Sequence, residues 1–231
     1  MSYSIISPLS IIILIASQKN TKTKQAHIHL RNGICFRCSL IEEAYRLLLD
    51  GIKSLKYEET KLMEVNIYVN SIYINIRGVI DNLSWYLKYE FGITIKNDNQ
   101  VDLKRKEFKK ELEGKGFNID KIEKYDNWFS DLKQKRDPIA HRLPLYIPYR
   151  IITNKKDADD AQNLYKEADE KLCKADKTWA SSLYDARRIG EFKPTILKTD
   201  TETGEITTYP IEKDIEKDLE ELKNFVKEIL Q

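Results

Sequence analysis

The longest helical pattern in the chain runs through residues 61–91, KLMEVNIYVNSIYINIRGVIDNLSWYLKYEF. Its apolar side chains recur every three or four positions, which predicts one helix with a continuous apolar stripe. Other apolar residues lie off the stripe, so we expect this central helix to contact neighbours on more than one side. Gly92 follows and suits the left-handed conformation in which helices often end. The stripe consists of Leu62, Val65, Val69, Ile72, Ile76, Val79, Ile80, Leu83 and Leu87.

Two further helices are predicted on either side of this one. Ser39 and Glu42 have the spacing of a capping box, in which each side chain satisfies an unpaired backbone N–H at a helix start. A helix should therefore begin at Ser39 and end near Tyr57. Another should extend from about residue 119 to residue 135, because apolar residues recur there with helical spacing.

The last third of the sequence predicts helices and a small hairpin. Asp157 can cap a helix that ends near Gly190. Residues 194–197 and 206–209 flank a Gly-containing turn and read as two short strands, and Pro210 opens a last helix. The predicted fold class is therefore all-α, an antiparallel helical bundle of about five helices with a small C-terminal β-hairpin. Strands this short do not carry a fold.

The charge balance excludes a strongly basic nucleic-acid-binding domain. The 231 residues include 39 Lys and Arg against 37 Asp and Glu, a formal net charge of +2. Affinity for a polyanion would therefore have to come from a local patch. With 41% hydrophobic residues the chain can bury a substantial core.

Residues 1–36 are predicted to be an N-terminal extension of uncertain role, and residues 37–231 the folded domain. Residues 5–16 are apolar but shorter than the ~20 residues that a spanning helix needs. No Lys or Arg precedes Lys19, so the positive region of a signal peptide is missing. We expect no membrane association and a cytoplasmic protein, although a membrane or export role stays open. Three cysteines, an odd number, fit a reducing compartment.

His27, His29, Cys35 and Cys38 offer four donors of the types that bind zinc. The His-x-His half does not have the usual spacing of structural zinc sites, and no second Cys pair follows. Two ordinary half-buried thiols are the favoured alternative. No glycine-rich phosphate loop is present either, so we expect no metal and no other cofactor.

The residues best suited to chemistry lie in the segment 136–141, RDPIAH. Arg136 continues the apolar stripe of the helix before it, so its charge needs a carboxylate partner or a polar cleft. Asp137-Pro138 should interrupt the helix, because the residue before a proline disfavours helical geometry. His141 would then lie in a separate short turn, and Asp137 can either cap that turn or orient His141. The stripe consists of Ile122, Tyr125, Phe129 and Leu132.

Two other charged groups have alternative interpretations. Arg77 and Asp81 lie four residues apart on the central helix and can pair. They form either a surface ion pair of little energetic value or a pair that orients a residue of the site. Five cations between residues 104 and 110 form either a solvated helix face or a patch that attracts phosphate. They are Lys104, Arg105, Lys106, Lys109 and Lys110.

Arg136 and His141 form an Arg-x4-His motif at a helical junction, with a polar residue directly after the Arg. This motif in a helical context resembles the HEPN superfamily (higher eukaryotes and prokaryotes nucleotide-binding domain). The segment from Arg77 to Trp85 is also similar to the Arg-x3-Asp-x-Leu-x-Trp helix of uncharacterised bacterial proteins with this motif. The resemblance covers about residues 39–150. Pro138 departs from the long continuous final helix of the family.

The resemblance implies a metal-independent endoribonuclease that acts as a homodimer, with Arg136 and His141 as the catalytic pair. We assign supporting roles to Asp137, Arg77 and Asp81, and substrate binding to Arg142. His141 can act as base or acid near neutral pH, and Arg136 can bind phosphate oxygens. The alternative is a non-catalytic HEPN-like module that binds a nucleotide, RNA or a protein regulator.

Overall fold

A computed structural model describes residues 8–56, 58–141, 143–200 and 203–231, and only the backbone of Pro8, Ala140 and His141. The chain is mostly helical and includes a small two-stranded antiparallel sheet. The helices are α1 (Pro8–Gln18), α2 (Lys24–Ile28), a π-helical segment (His29–Cys35), α3 (Phe36–Leu55), α4 (Leu62–Glu90), α5 (Lys106–Gly114), α6 (Asp120–Glu123), α7 (Asp126–His141), α8 (Lys155–Cys173), α9 (Trp179–Arg188) and α10 (Ile211–Leu230). The strands are β1 (Thr195–Thr199) and β2 (Ile206–Pro210).

The predicted central helix is confirmed as α4, which packs against α3 and α7. Every stripe residue after Leu62 is buried. Off the stripe the expectation is wrong for two residues, because the side chains of Ile67 and Ile74 are exposed. Gly92 follows the helix with a φ of +60°, as predicted.

The predicted start of helical structure at Ser39 is wrong. The backbone is helical without a break from Lys24 to Leu55, through the π-helical segment. Ser39 lies inside this run and donates its hydroxyl hydrogen bond to the carbonyl of Cys35 at 3.2 Å. A local capping pattern does not start a helix when the preceding residues already have buried apolar partners.

The described part of the predicted N-terminal extension belongs to the core. Leu9, Ile12 and Ala16 of α1 are at most 1% exposed, and α1 packs against α3 and α10. Leu30 and Ile34 of the π-helical segment are fully buried. The predicted boundary at residue 36 therefore falls inside a continuous helical run. That residues 37–231 form a folded domain without residues 1–36 stays a prediction.

The predicted helix break at Asp137-Pro138 is wrong, because α7 continues through Pro138 to His141. A proline inside a helix removes one N–H and costs about 3 kcal/mol. Burial of Pro138 and contact of Ile139 with the core outweigh that cost.

Two asparagines of α4 hold the chain that follows α7. Asn70 donates to the carbonyl of Leu145 at 2.9 Å and accepts from its N–H at 3.1 Å. Asn66, one turn earlier, makes the same pair of bonds with Ile147 at 3.1 and 2.7 Å. The two asparagine side chains thus satisfy the backbone groups of Leu145 and Ile147 and fix the position of the chain soon after His141.

The last third differs from prediction in one helix. Two helices, α8 and α9, replace the single predicted one, and Ala175 between them has a φ of +55°. Asn154 rather than Asp157 caps α8. The hairpin and the final helix are confirmed, with Thr195 opposite Pro210 at one end of the sheet. No helix among the described residues is both long and apolar enough to cross a bilayer.

Candidate functional site

A cleft of about 380 Å³ lies between α4, the loop before α5, and α7. Five of its described lining residues are basic and two are acidic, although the whole chain carries a formal charge of only +2. The local excess of positive charge makes this cleft suitable for an anion. The lining residues are Arg77, Asp102, Lys104, Arg105, Phe129, Leu132, Lys133, Arg136 and Asp137.

Arg77, which lines the cleft, pairs with two carboxylates. Its Nη2 lies 2.9 Å from Asp81 and 2.7 Å from Asp102. Burial raises the pKa of the Asp81 carboxyl, against the opposing effect of Arg77. Burial would also raise the pKa of Asp102, but hydrogen bonds from the Lys104 N–H and Arg77 outweigh it and the net shift is downward. The predicted Arg77–Asp81 pair is therefore formed, and it belongs to a larger charged group.

Arg136 lines the same cleft, with 31% of its side chain exposed. Its guanidinium lies 3.1 Å from the carboxylate of Asp137, which is also 3.8 Å from Lys133. Arg136 thus has both a carboxylate partner and a polar cleft. Its remaining donors can serve an anionic ligand, because a guanidinium presents five N–H groups.

Only two cations of the 104–110 cluster reach the cleft. Lys104 donates to the carbonyl of Phe129 at 2.7 Å, and burial together with neighbouring cations lowers its pKa. Arg105 is exposed at the rim. Lys109 instead lies near Glu123 of α6 and Asp126 of α7, at 3.4 and 3.5 Å.

The expectation that Arg136 is the core-facing charge of α7 is wrong. Lys135 takes that position, with 6% of its side chain exposed. It lies 2.7 Å from Asp214 and 2.6 Å from Asp218, both on α10. Helical spacing of three or four after Leu132 allows either residue to face inward. Two carboxylates from a distant helix select Lys135, so the short-range pattern could not decide between them.

Sequence reasoning also missed Arg37 of α3. Its Nη1 donates to the side-chain oxygen of Asn75 at 3.0 Å, and its guanidinium lies against Gly78 of α4. The signal that could have found it is Gly78 itself, since a glycine inside a long helix often allows close approach of another group.

His141 is described through its backbone, as the last residue of α7. In a straight α-helix residues five apart are separated by about 140° around the axis, so one helix does not by itself place positions 136 and 141 on one side. The side chain of His141 and the whole of Arg142 lie outside the described residues, so the roles predicted for them stay predictions.

The four possible zinc ligands do not converge. Cys38 is fully buried and burial raises its pKa, while His29 Nδ1 lies 2.9 Å from the side-chain oxygen of Asn82. Across the described residues, no group of three or more His, Cys, Asp or Glu is placed to hold a metal ion.

Comparisons with protein-family models, with curated proteins and with solved structures find no match for this chain.

Proposed function

We propose that the protein binds RNA in the Arg136 cleft and cleaves it as a homodimeric, metal-independent endoribonuclease of the HEPN type. The observation that carries the proposal is the concentration of cations around Arg136 in a nearly neutral chain. Phosphate contacts dominate the affinity of proteins for nucleic acids, and arginine binds phosphate with two parallel hydrogen bonds.

Cleavage without a metal needs a base, an acid and a cation. A base takes the proton of the ribose 2′-OH, whose oxygen then attacks the adjacent phosphorus. An acid protonates the 5′ oxygen as its bond to phosphorus breaks, which leaves a 2′,3′-cyclic phosphate. His141 can perform either proton transfer near neutral pH. Arg136 stabilises the negative charge that grows on the phosphorane.

Two copies of His141 across a dimer would divide the acid and base steps. An apolar groove of about 830 Å³ supports a dimer at this end of α7. It runs along α4 past the exposed Met63, Ile67 and Ile74, and is bordered by Ile139 and Tyr146 on either side of His141 in sequence. A second copy seated there would cover exposed apolar surface and bring the two α7 ends together.

The alternative is a non-catalytic HEPN-like module that binds RNA, a nucleotide or a protein regulator through the same cleft. The unbroken course of α7 favours it, because one chain then does not place positions 136 and 141 on the same side.

Cleavage of end-labelled single-stranded RNA in the presence of a metal chelator tests the proposal. Wild type should produce 2′,3′-cyclic phosphate ends, and Arg136→Ala and His141→Ala should lower the rate by about 10²–10⁴-fold. Arg46→Ala, on an exposed arginine of α3 paired with Glu43, is the matched control. RNA that is bound but not cleaved would support the module, and no binding would reject both the ribonuclease and a module that binds RNA.

The dimer has separate tests. Mixing wild-type chains with His141→Ala chains before assembly should lower the rate as the square of the wild-type fraction, because a composite site needs both histidines. A linear decrease would mean that each chain acts alone. Ile67→Glu, on a side chain that is 57% exposed, should yield folded monomers without RNase activity.

The arrangement and location of the protein belong to the same proposal. We infer that the main helices form an antiparallel bundle and that the protein acts in the cytoplasm. The packing of α3 on α4 supports the bundle. The described cysteines are all free thiols, which supports a cytoplasmic location.

A further inference from the structure

Arg37 differs from the two other arginines of this region because it forms no ion pair with any carboxylate among the described residues. Arg77 pairs with two carboxylates and Arg136 pairs with one. Arg37 is half-buried, and its Nη1 donates a hydrogen bond to the neutral amide of Asn75. The Asp81 carboxylate attracts Arg37 but is in direct contact with Arg77 instead, so an anionic ligand would give the half-buried Arg37 a counter-charge of its own.

The guanidinium of Arg37 occupies space that is open only because residue 78 is a glycine. A Cβ added to Gly78 would lie 2.4 Å from its Cζ and Nη1 and 2.5 Å from its Nε. The guanidinium therefore lies flat against the backbone of α4, between the hydrogen-bond partner Asn75 and the following turn. This contact defines the position of a long side chain that would otherwise be free to sample many rotamers.

Arg37 does not line the cleft itself, but it acts on Asp81, which pairs with the lining residue Arg77. Gly78 and Asp81 are three residues apart on α4, so they lie one above the other on the same face. Burial raises the pKa of Asp81, and three arginines from three helices act in the opposite direction on that one carboxyl. They are Arg77 of α4, Arg136 of α7 and Arg37 of α3.

We propose that Arg37 is a further anion-binding residue of this site, which contacts the phosphate next to the one bound by Arg136. The ligand would be single-stranded RNA, whose successive phosphates reach both arginines. This inference rests on the proposed function and deepens it, because it assigns the site two neighbouring phosphates rather than one.

Gly78→Ala tests the position of Arg37 without removing a charge. The added methyl group must displace the guanidinium, and the backbone of α4 need not move because the Arg37 side chain is flexible. Alanine is also the better helix former, so the thermal midpoint should be unchanged or slightly higher. Gly114→Ala is the matched control, since a Cβ there would meet nothing within 4 Å.

Binding is measured by fluorescence anisotropy with an end-labelled eight-nucleotide 2′-O-methyl RNA, which cannot be cleaved through its 2′ oxygen. Arg37→Ala and Gly78→Ala should each weaken binding at low salt by about tenfold, the size expected of a lost charge-assisted hydrogen bond. Each should also reduce the slope of log affinity against log salt by about 0.7, the contribution of one phosphate contact to a single strand. The double variant should be no weaker than Arg37→Ala, because both changes remove one contact. Gly114→Ala and Arg46→Ala should bind as wild type does.

The outcomes separate this inference from the function it rests on. If Arg136→Ala weakens binding but both Arg37→Ala and Gly78→Ala retain the wild-type affinity and slope, the second phosphate contact is rejected and RNA binding stands. If wild type does not bind the RNA, the proposed function is rejected and the inference falls with it. If Arg37→Ala weakens binding and Gly78→Ala does not, the packing against Gly78 does not define the binding position, and that part of the argument is refuted.

Discussion

Replacing Lys135 by methionine should lower the free energy of unfolding by about 3–5 kcal/mol at pH 7. Methionine has a similar length and removes only the charge and its hydrogen bonds. The carboxylates of Asp214 and Asp218 would stay in place with 14% and 2% of their side chains exposed. Tyr73 and Trp128 still donate to them at 2.7 and 3.0 Å, but neutral donors do not replace a cation. In a domain of this size the loss corresponds to a decrease of about 6–20 °C in the thermal midpoint.

The loss should depend on pH in a defined direction. Burial raises the pKa of Asp218 in the folded protein, and Lys135 opposes that shift. A carboxyl with a raised folded-state pKa favours folding below its unfolded-state pKa and loses that contribution as the pH rises. Without Lys135 the shift is larger, so the variant should gain stability as the pH falls from 7 towards 4. The difference in free energy of unfolding between Lys135→Met and wild type should therefore become smaller in acid.

Urea unfolding followed by circular dichroism at several pH values measures both effects. Lys133→Met is the control on the same helix, because Lys133 is 66% exposed and its ion pair is 3.8 Å long, and exposed pairs contribute at most about 1 kcal/mol. A loss below about 1 kcal/mol for Lys135→Met at pH 7, or a difference that does not change with pH, would refute the account of a buried charge cluster.

Three further changes test other parts of the structure. Ile12→Ala should lower the free energy of unfolding by about 2–5 kcal/mol, because Ile12 is fully buried. Its neighbour Ile11 is 37% exposed, so Ile11→Ala should lower it far less. Equal thermal midpoints for the two variants would show that α1 is not part of the core. Asn70→Ala should cost about 1–3 kcal/mol in urea unfolding by leaving buried backbone groups after α7 without partners, while Asn163→Ala on the exposed face of α8 should have little effect. The pKa of Asp102 is lowered in the folded protein, so its contribution to stability is present above pH 3.8 and is lost as the pH falls. The stability difference between wild type and Asp102→Asn should therefore disappear in acid. A difference that persists in acid would contradict the pairing of Asp102 with Arg77.

Two local sequence patterns led to wrong predictions, because tertiary packing outweighs them and cannot be read from the same few residues. The Ser39 capping pattern lies within a helical run that started 15 residues earlier, at Lys24. Pro138 disfavours a helix locally, yet α7 passes through it because the flanking residues are held by the core. In both cases a preference of about 1–3 kcal/mol is outweighed by the burial of several side chains.

The features that the amino-acid sequence predicted correctly are those made by residues close together in the chain. The course of α4, the hairpin, the final helix and the Arg77–Asp81 pair depend on periods of two to four residues, which are visible in a single segment. The cleft and the buried charge cluster depend on distant residues. Lys135 meets Asp218 across 83 residues, and Arg37 meets Asn75 across 38. Only the packing of the helices decides which of two adjacent cations, Lys135 or Arg136, is withdrawn from water and which remains available to a ligand.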